Sequence, residues 1–598
     1  MKHTSPEVVT GDPRKEPATF SRFVLPFPYC PQPGLIEPAQ ATYAEAGLDD
    51  WLHSPQTATV TQNDLPSDDR ERRDYLTRET GEVLHKRGRW LVLRNAPKIE
   101  FELRSRDGIK VKVVGEPPAL VLFEWPEGAV SSSRPIREED AEDALRMGFL
   151  IVDLHFESGV EATLEDLMRL NEQFRFFLRP YEKHPSLNAE FSYQQILGNL
   201  PCNPLEPQRG KLGEANSTAL ELSLYLERWE AWLRCHFEIG GQCYHLMPDE
   251  WFSAARDWAM GNTPRSQSHG WLTHADNRCY VWTCAVLKNH PFLHQVKDWA
   301  ETEAPDAPTL LPPELGAWVH LLNVDSPDVS ASHFERRWAA QRTYTRWAHF
   351  GALQGFCSHA GAMLTGVCKE PPTWQHFQNM YFDHALLLLY IRASLFRFSF
   401  RLSSFSQQAL AVGAKPEQFM ETFRRLREQF THFTNMYQFP LLSTQQQALE
   451  MYQMLRDNLD VKPLFEEVKE EVETTDEFLS SQQQGRIADS SLRLTVVATM
   501  GFVAALVVGL FGANYLLEPF FGKDLNRYLA LVLILAFSIL FFILVLIFIR
   551  YSRSLHCLFD RVVQSPDGSL WKCLCKWLDR RTDEMSQPRP PDQEKESP

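Results

Sequence analysis

Two apolar stretches near the C-terminal end, Leu494–Phe511 and Tyr528–Ile549, constrain this 598-residue chain more than any other feature. A membrane-crossing helix needs roughly 20 mostly apolar residues to cover about 30 Å of hydrocarbon. The second stretch meets that length, with Ser538 as its strongly polar interruption. The first is shorter and carries Thr495 and Thr499, which suits a helix facing other helices or water better than one surrounded by lipid. The expectation is therefore two C-terminal transmembrane helices per subunit over residues 494–549, joined by an outer loop over 512–527.

Flanking charge gives an orientation. The loop Tyr515–Arg527 sets Lys523 and Arg527 against Glu518 and Asp524, whereas Arg493 precedes the first stretch and Arg550, Arg553 and Arg561 follow the second. By the positive-inside rule both termini face the cytoplasm, so the sequence predicts a multi-pass protein of the cytoplasmic membrane. The opening residues, MKHTSPEVVTGDPRKEP, lack the apolar core of a secretory signal.

The segment LRLTVVATMGFVAALVVGLFGAN, Leu492–Asn514, resembles the first membrane helix of the CorA family of divalent-cation channels. In that family a large cytoplasmic domain feeds a very long helix into the membrane. A Gly-Met-Asn signature closes that helix, and a second helix returns to a basic end. Here the signature reads Gly512-Ala513-Asn514, and the outer loop holds Glu518 in a Leu-Glu-Pro context. The resemblance implies a pentamer, a selectivity filter at Gly512, Ala513 and Asn514, and transport of a divalent cation, Mg²⁺ first. Ala513 in place of Met keeps Zn²⁺, Ni²⁺ or Co²⁺ as the alternative cargo.

Elementary chemistry supports a cation role at this signature. Magnesium releases its water reluctantly and prefers octahedral oxygen ligands, so a ring of Asn514 amides, one per subunit, would present neutral oxygens to a hydrated ion. Two helices cannot enclose a pore alone, which requires a homo-oligomer. Ala498, Gly501, Ala505, Gly509 and Gly512 recur at three- and four-residue spacing and share one helical face. That stripe fits a pore lining and equally fits close helix packing. Phe502 is a candidate hydrophobic constriction, or a packing aromatic.

Between Pro463 and the end of the first stretch no further proline occurs, so this region reads as one continuous helical stalk. Val461, Phe465, Val468, Val472 and Leu479 follow a heptad-like spacing. Seven carboxylates, Glu466, Glu467, Glu470, Glu471, Glu473, Asp476 and Glu477, are opposed by Lys469 alone. Around a symmetry axis they would repel one another and gather divalent cations. Glu473, Asp476 and Glu477, nearest the apolar stretch, are the candidate regulatory metal ligands; the alternative is a solvated helix face.

Upstream, residues 1–84 are rich in Pro, Thr and acids and read as poorly ordered. Residues 85–345 alternate strand-like and helix-like segments, which predicts an α/β cytosolic domain with a mixed sheet. The predicted strands are Trp90–Leu93, Val111–Val114, Leu120–Trp125, Phe149–His155, Tyr280–Val286 and Trp318–Val324; Leu164–Leu178 and Ser217–Phe237 read as helices. Residues 346–493 form a helical bundle leading into the stalk. Within it Gln375–Ser406 is a buried helix and not a third span, because Asp383, His384, Arg392, Arg397 and Arg401 interrupt it. Residues 550–598 form a cytoplasmic tail whose Cys573-Leu574-Cys575, set between Trp571 and Trp577 among basic residues, suits the membrane surface.

No phosphate-binding Gly-rich loop, nucleophile elbow or His-Glu-x-x-His motif is present, so no enzyme and no resident cofactor is expected beyond the divalent cation. Cys235, His236, Cys243 and His245 are residue types that suit zinc. Their spacing matches no standard knuckle, however, and the first pair falls in a predicted helix. A net charge of −16 argues against nucleic acid as a partner. A non-transport alternative is a membrane-anchored sensor or effector that reads a signal through its large front domain.

Overall fold

The computed structural model describes residues 18–33 and 42–45, most of 76–123, 146–175, 229–253 and 278–512, and a few positions between 536 and 543. The chain divides into two compact units, Met1–Val472 and Glu473–Pro598.

The first unit is built on a mixed 14-stranded sheet. Its strands are β1 Phe20–Pro28, β2 Gln32–Pro33, β3 Thr42–Glu45, β4 Arg89–Arg94, β5 Ile99–Arg104, β6 Lys110–Gly115 and β7 Ala119–Leu122. They continue as β8 Met147–Phe156, β9 His236–Ile239, β10 Gln242–His245, β11 Tyr280–Leu287, β12 Thr343–Tyr344, β13 Leu353–Phe356 and β14 Ala360–Gly366. The order runs β12-β13-β14-β11-β1-β8-β7-β4-β3-β9-β10-β2, with β6 also paired to β8 and β5 to β6. The β11–β14 and β3–β9 pairs are parallel, and the other pairs are antiparallel.

β1 lies between β8 and β11, although it comes from a segment whose composition gave no sign of a strand. Its alternation explains the placement, since successive side chains serve opposite faces. Phe23, Leu25 and Phe27 enter the main core, where Phe23 meets Phe174 at 4.7 Å on helix α1, Leu164–Phe174. Thr163 and Asp166 cap that helix reciprocally, satisfying backbone donors that a helix start leaves open. Further along the chain come α2 Pro291–Thr302, α3 Gly316–Asn323 and α4 His333–Ala340.

On the other face of β1, Arg22 is fully buried and grips Asp153 of β8 through two nitrogens, Nε at 2.6 Å and Nη2 at 3.0 Å. Helix α5, Thr373–Gln378, and helix α6, Met380–Leu410, cover this face. Arg22 donates to the carbonyl of Gln378 and lies 4.1 Å from the Phe382 ring centre. Trp282 of β11 stacks on Phe377 at 4.2 Å and donates its indole N–H to that residue's carbonyl. The result is a sheet with helices on both faces.

Helix α6 continues into an aromatic bundle with α7, Pro416–Tyr437. Tyr390 meets Tyr437 at 4.8 Å, and Phe398 meets Phe430 edge-on at 5.2 Å. Helix α8, Gln446–Asn458, is tied back to the sheet by Glu450, which receives Tyr344 and Arg346. Asp460 then takes a left-handed turn, φ 53°, and α9 runs unbroken from Val461 to Gly512 over 52 residues.

Three sequence expectations are corrected here. Among the described residues no helix is long and apolar enough to cross a membrane. This overturns the pair of C-terminal transmembrane helices and, with it, the multi-pass membrane placement. Leu494–Phe511 forms the last turns of α9, and at 18 residues with Thr495 and Thr499 among them it is shorter than the roughly 20 mostly apolar residues that a crossing needs. Tyr528–Ile549 falls outside the described residues apart from a few positions, and the loop and basic tail lie wholly outside them.

The second correction is Trp318–Val324, which is helical and not a strand. A short apolar run does not distinguish the two states; Pro312 and Pro313 begin a single turn that leads directly into α3. The third concerns the end of the predicted helix Ser217–Phe237, because His236 opens β9.

Candidate cation site

The candidate residues fall on α9. Its first turns dock on the bundle through Val461, Val468 and Val472, all buried, and Phe465 stacks on Phe430 at 5.9 Å with rings nearly parallel. Glu466, Glu467 and Glu470 point away and are exposed. This division follows from helical periodicity, which puts the valines on one stripe and most acids on the opposite one. Glu471 sits at the seam. Burial pushes its carboxyl above the usual range and the neighbouring Glu467 adds to the rise, while a hydrogen bond with Ser399 opposes both.

Glu473, Asp476 and Glu477 follow at helical spacing, with Glu473 and Glu477 exposed and Asp476 half-buried. Among the described residues no group of three or more His, Cys, Asp or Glu side chains is arranged to hold a metal ion. These three acids therefore share a face of α9 without forming a closed coordination shell in one chain.

Further along, Thr495 and Thr499 donate their hydroxyls to the carbonyls of Ser491 and Thr495, at 2.8 and 2.9 Å. Such back-bonding satisfies the hydroxyl within its own helix. Ala498, Gly501, Ala505 and Gly509 are exposed, and Phe502 leaves 70% of its surface open. A Cβ added at Gly501 or Gly509 would meet nothing within 4 Å among the described residues, so no described contact demands a glycine at either position. Gly512 is the last residue of α9. Ala513, Asn514 and Glu518 lie outside the described residues.

The cysteine–histidine group resolves differently from its sequence reading. Cys235 is buried and donates its thiol to the Ala231 carbonyl. His236 and His245 occupy the facing strands β9 and β10 with ring centres 4.0 Å apart. None of the six described cysteines, Cys30, Cys235, Cys243, Cys279, Cys284 and Cys357, is in a disulfide. The shared face was missed because sequence spacing alone did not show that β9 and β10 pair antiparallel; the Gly240-Gly241 dipeptide between two alternating runs is the sequence signal for that pairing.

Compared with known proteins, the chain matches no protein-family model, no curated protein and no solved structure.

Proposed function

We propose that this chain handles divalent cations, Mg²⁺ first, as a homo-oligomer in which copies of α9 bring the acidic stalk and Asn514 together around a shared axis. The observation that carries the reading is the single unbroken helix from the acidic segment to Gly512. It carries the charged, cation-gathering face and ends at Gly512, the first residue of the Gly512-Ala513-Asn514 signature. The exposed small residues beyond Ser491, among which Gly501 and Gly509 meet no described neighbour that requires a glycine, support contact with further copies. Asn514 supplies neutral oxygen suited to a hydrated hard cation, and Glu473, Asp476 and Glu477 supply carboxylates whose mutual repulsion the same ion would relieve.

The test is titration calorimetry of Mg²⁺, Zn²⁺, Ni²⁺ and Co²⁺ into the purified chain, with Asn514→Ala as control. Mg²⁺ binding weakened in that variant supports the reading, and the ranking of ions separates Mg²⁺ from the transition-metal alternative. No binding of any ion by the wild type sinks it and leaves the sensor or effector role.

A further inference from the structure

We propose that the β9–β10 hairpin is a transition-metal site, with His236, His245 and Cys243 as ligands and Glu238 as the fourth, suited to Zn²⁺ or Co²⁺. The register pairs Cys243 with Glu238 and Tyr244 with Phe237. Phe237 and Tyr244 are buried and stack on each other at 5.4 Å, which fixes their face as the core side. Because side chains alternate along a strand, His236, Glu238, Cys243 and His245 all stand on the opposite face.

Four donors on adjacent positions of a two-stranded ribbon sit about 5 Å apart across the strands and within reach along the diagonal. Two nitrogens, one sulfur and one carboxylate oxygen make a donor set that zinc accepts in tetrahedral geometry. Accessibility fits as well: both histidines and Cys243 are half-buried and Glu238 is exposed, so an ion reaches the group from outside. The two rings lie against each other, at 4.0 Å between centres, which places both imidazoles at the same point of the hairpin. The four side chains are not gathered as they stand, so binding requires Cys243 and Glu238 to turn toward the ring pair. On binding, the thiol proton leaves to solvent as the sulfur–metal bond forms.

This site is distinct from the acidic stalk and Asn514, and its failure would leave the cation-handling proposal standing. Co²⁺ titration of the full chain, followed by visible absorption, tests it. The expected result is the intense pattern of a tetrahedral ion with a sulfur-to-cobalt charge-transfer band, displaced by Zn²⁺. His236→Ala/His245→Ala removes the tetrahedral pattern. Cys243→Ser, a near-isosteric change that preserves the fold should the double variant unfold, removes the charge-transfer band and weakens affinity at least about tenfold. A tetrahedral spectrum that survives Cys243→Ser with its charge-transfer band intact, or the absence of any tetrahedral spectrum in the wild type, overturns the proposal.

Discussion

Arg22 shows how much one side chain can carry. It is fully buried in a central strand, paired to Asp153 through two nitrogens, bonded to the Gln378 carbonyl and laid against Phe382. It therefore joins β1, β8 and the helical layer at one point. Removing one partner of such a pair leaves a buried charge unmatched, which costs about 3–5 kcal/mol. Asp153→Asn should lower unfolding free energy by that order in urea titration. A loss below about 1 kcal/mol would show that the guanidinium finds water or another acceptor. His384 makes a second prediction at this scale. Burial drives its pKa down to about 3, whereas an unfolded histidine titrates near about 6.5. The unfolded chain then binds the extra proton between those values, so stability is complete above pH 6.5 and declines as pH falls toward 3. The slope from one such group is about 1.4 kcal/mol per unit. His359, also lowered mainly by burial, acts with the same sign. His384→Gln should reduce the slope of stability between pH 6.5 and 4.5 by up to one proton, read from urea midpoints. An unchanged slope would mean that His384 is protonated in the fold.

At the scale of elements, the closest packing is between β11 and β14. Gly361 lies in register with Trp282, and a Cβ built there would stand 2.3 Å from the indole ring. Trp282 is itself held by Phe377 through stacking and a hydrogen bond, so it cannot swing away cheaply. Gly361→Ala should destabilise by about 1–3 kcal/mol, as overpacking does, and a thermal melt of the variant checks it. A melt identical to wild type would show that α5 yields. Neither this contact nor the place of β1 was legible in sequence. Segments such as Phe149–His155 and Tyr280–Val286 announced themselves by continuous β-forming side chains and do appear as β8 and β11. Phe20–Pro28 carries the same alternation, but two prolines and an arginine disguise it, and Arg22 becomes tolerable in a strand only once Asp153 is beside it. Trp318–Val324 failed for the converse reason: buried on all sides, it shows no period. The acidic face of α9 was legible because helical spacing alone separates its valines from its carboxylates, whereas the His236–His245 face depended on a turn.

For the whole molecule the open matter is what the acidic stretch of α9 does when copies of the chain meet. Carboxylates on one helix repel modestly in water, but the same groups brought toward a common axis lose solvent and repel more strongly. Under the proposed function a divalent cation relieves that repulsion, so Mg²⁺ should favour assembly at constant ionic strength, where monovalent screening is already fixed. Sedimentation velocity of the full chain in chelator and in Mg²⁺ measures this. The larger species should gain with Mg²⁺ in the wild type. In Glu473→Gln/Asp476→Asn/Glu477→Gln, which removes three charges while keeping near-isosteric side chains, the larger species should persist without the ion. If Mg²⁺ leaves the wild-type distribution unchanged, or the variant still requires it, these three acids are a solvated helix face. The regulatory part of the cation proposal would then fall while Asn514 remained to be judged by Mg²⁺ binding to its alanine variant.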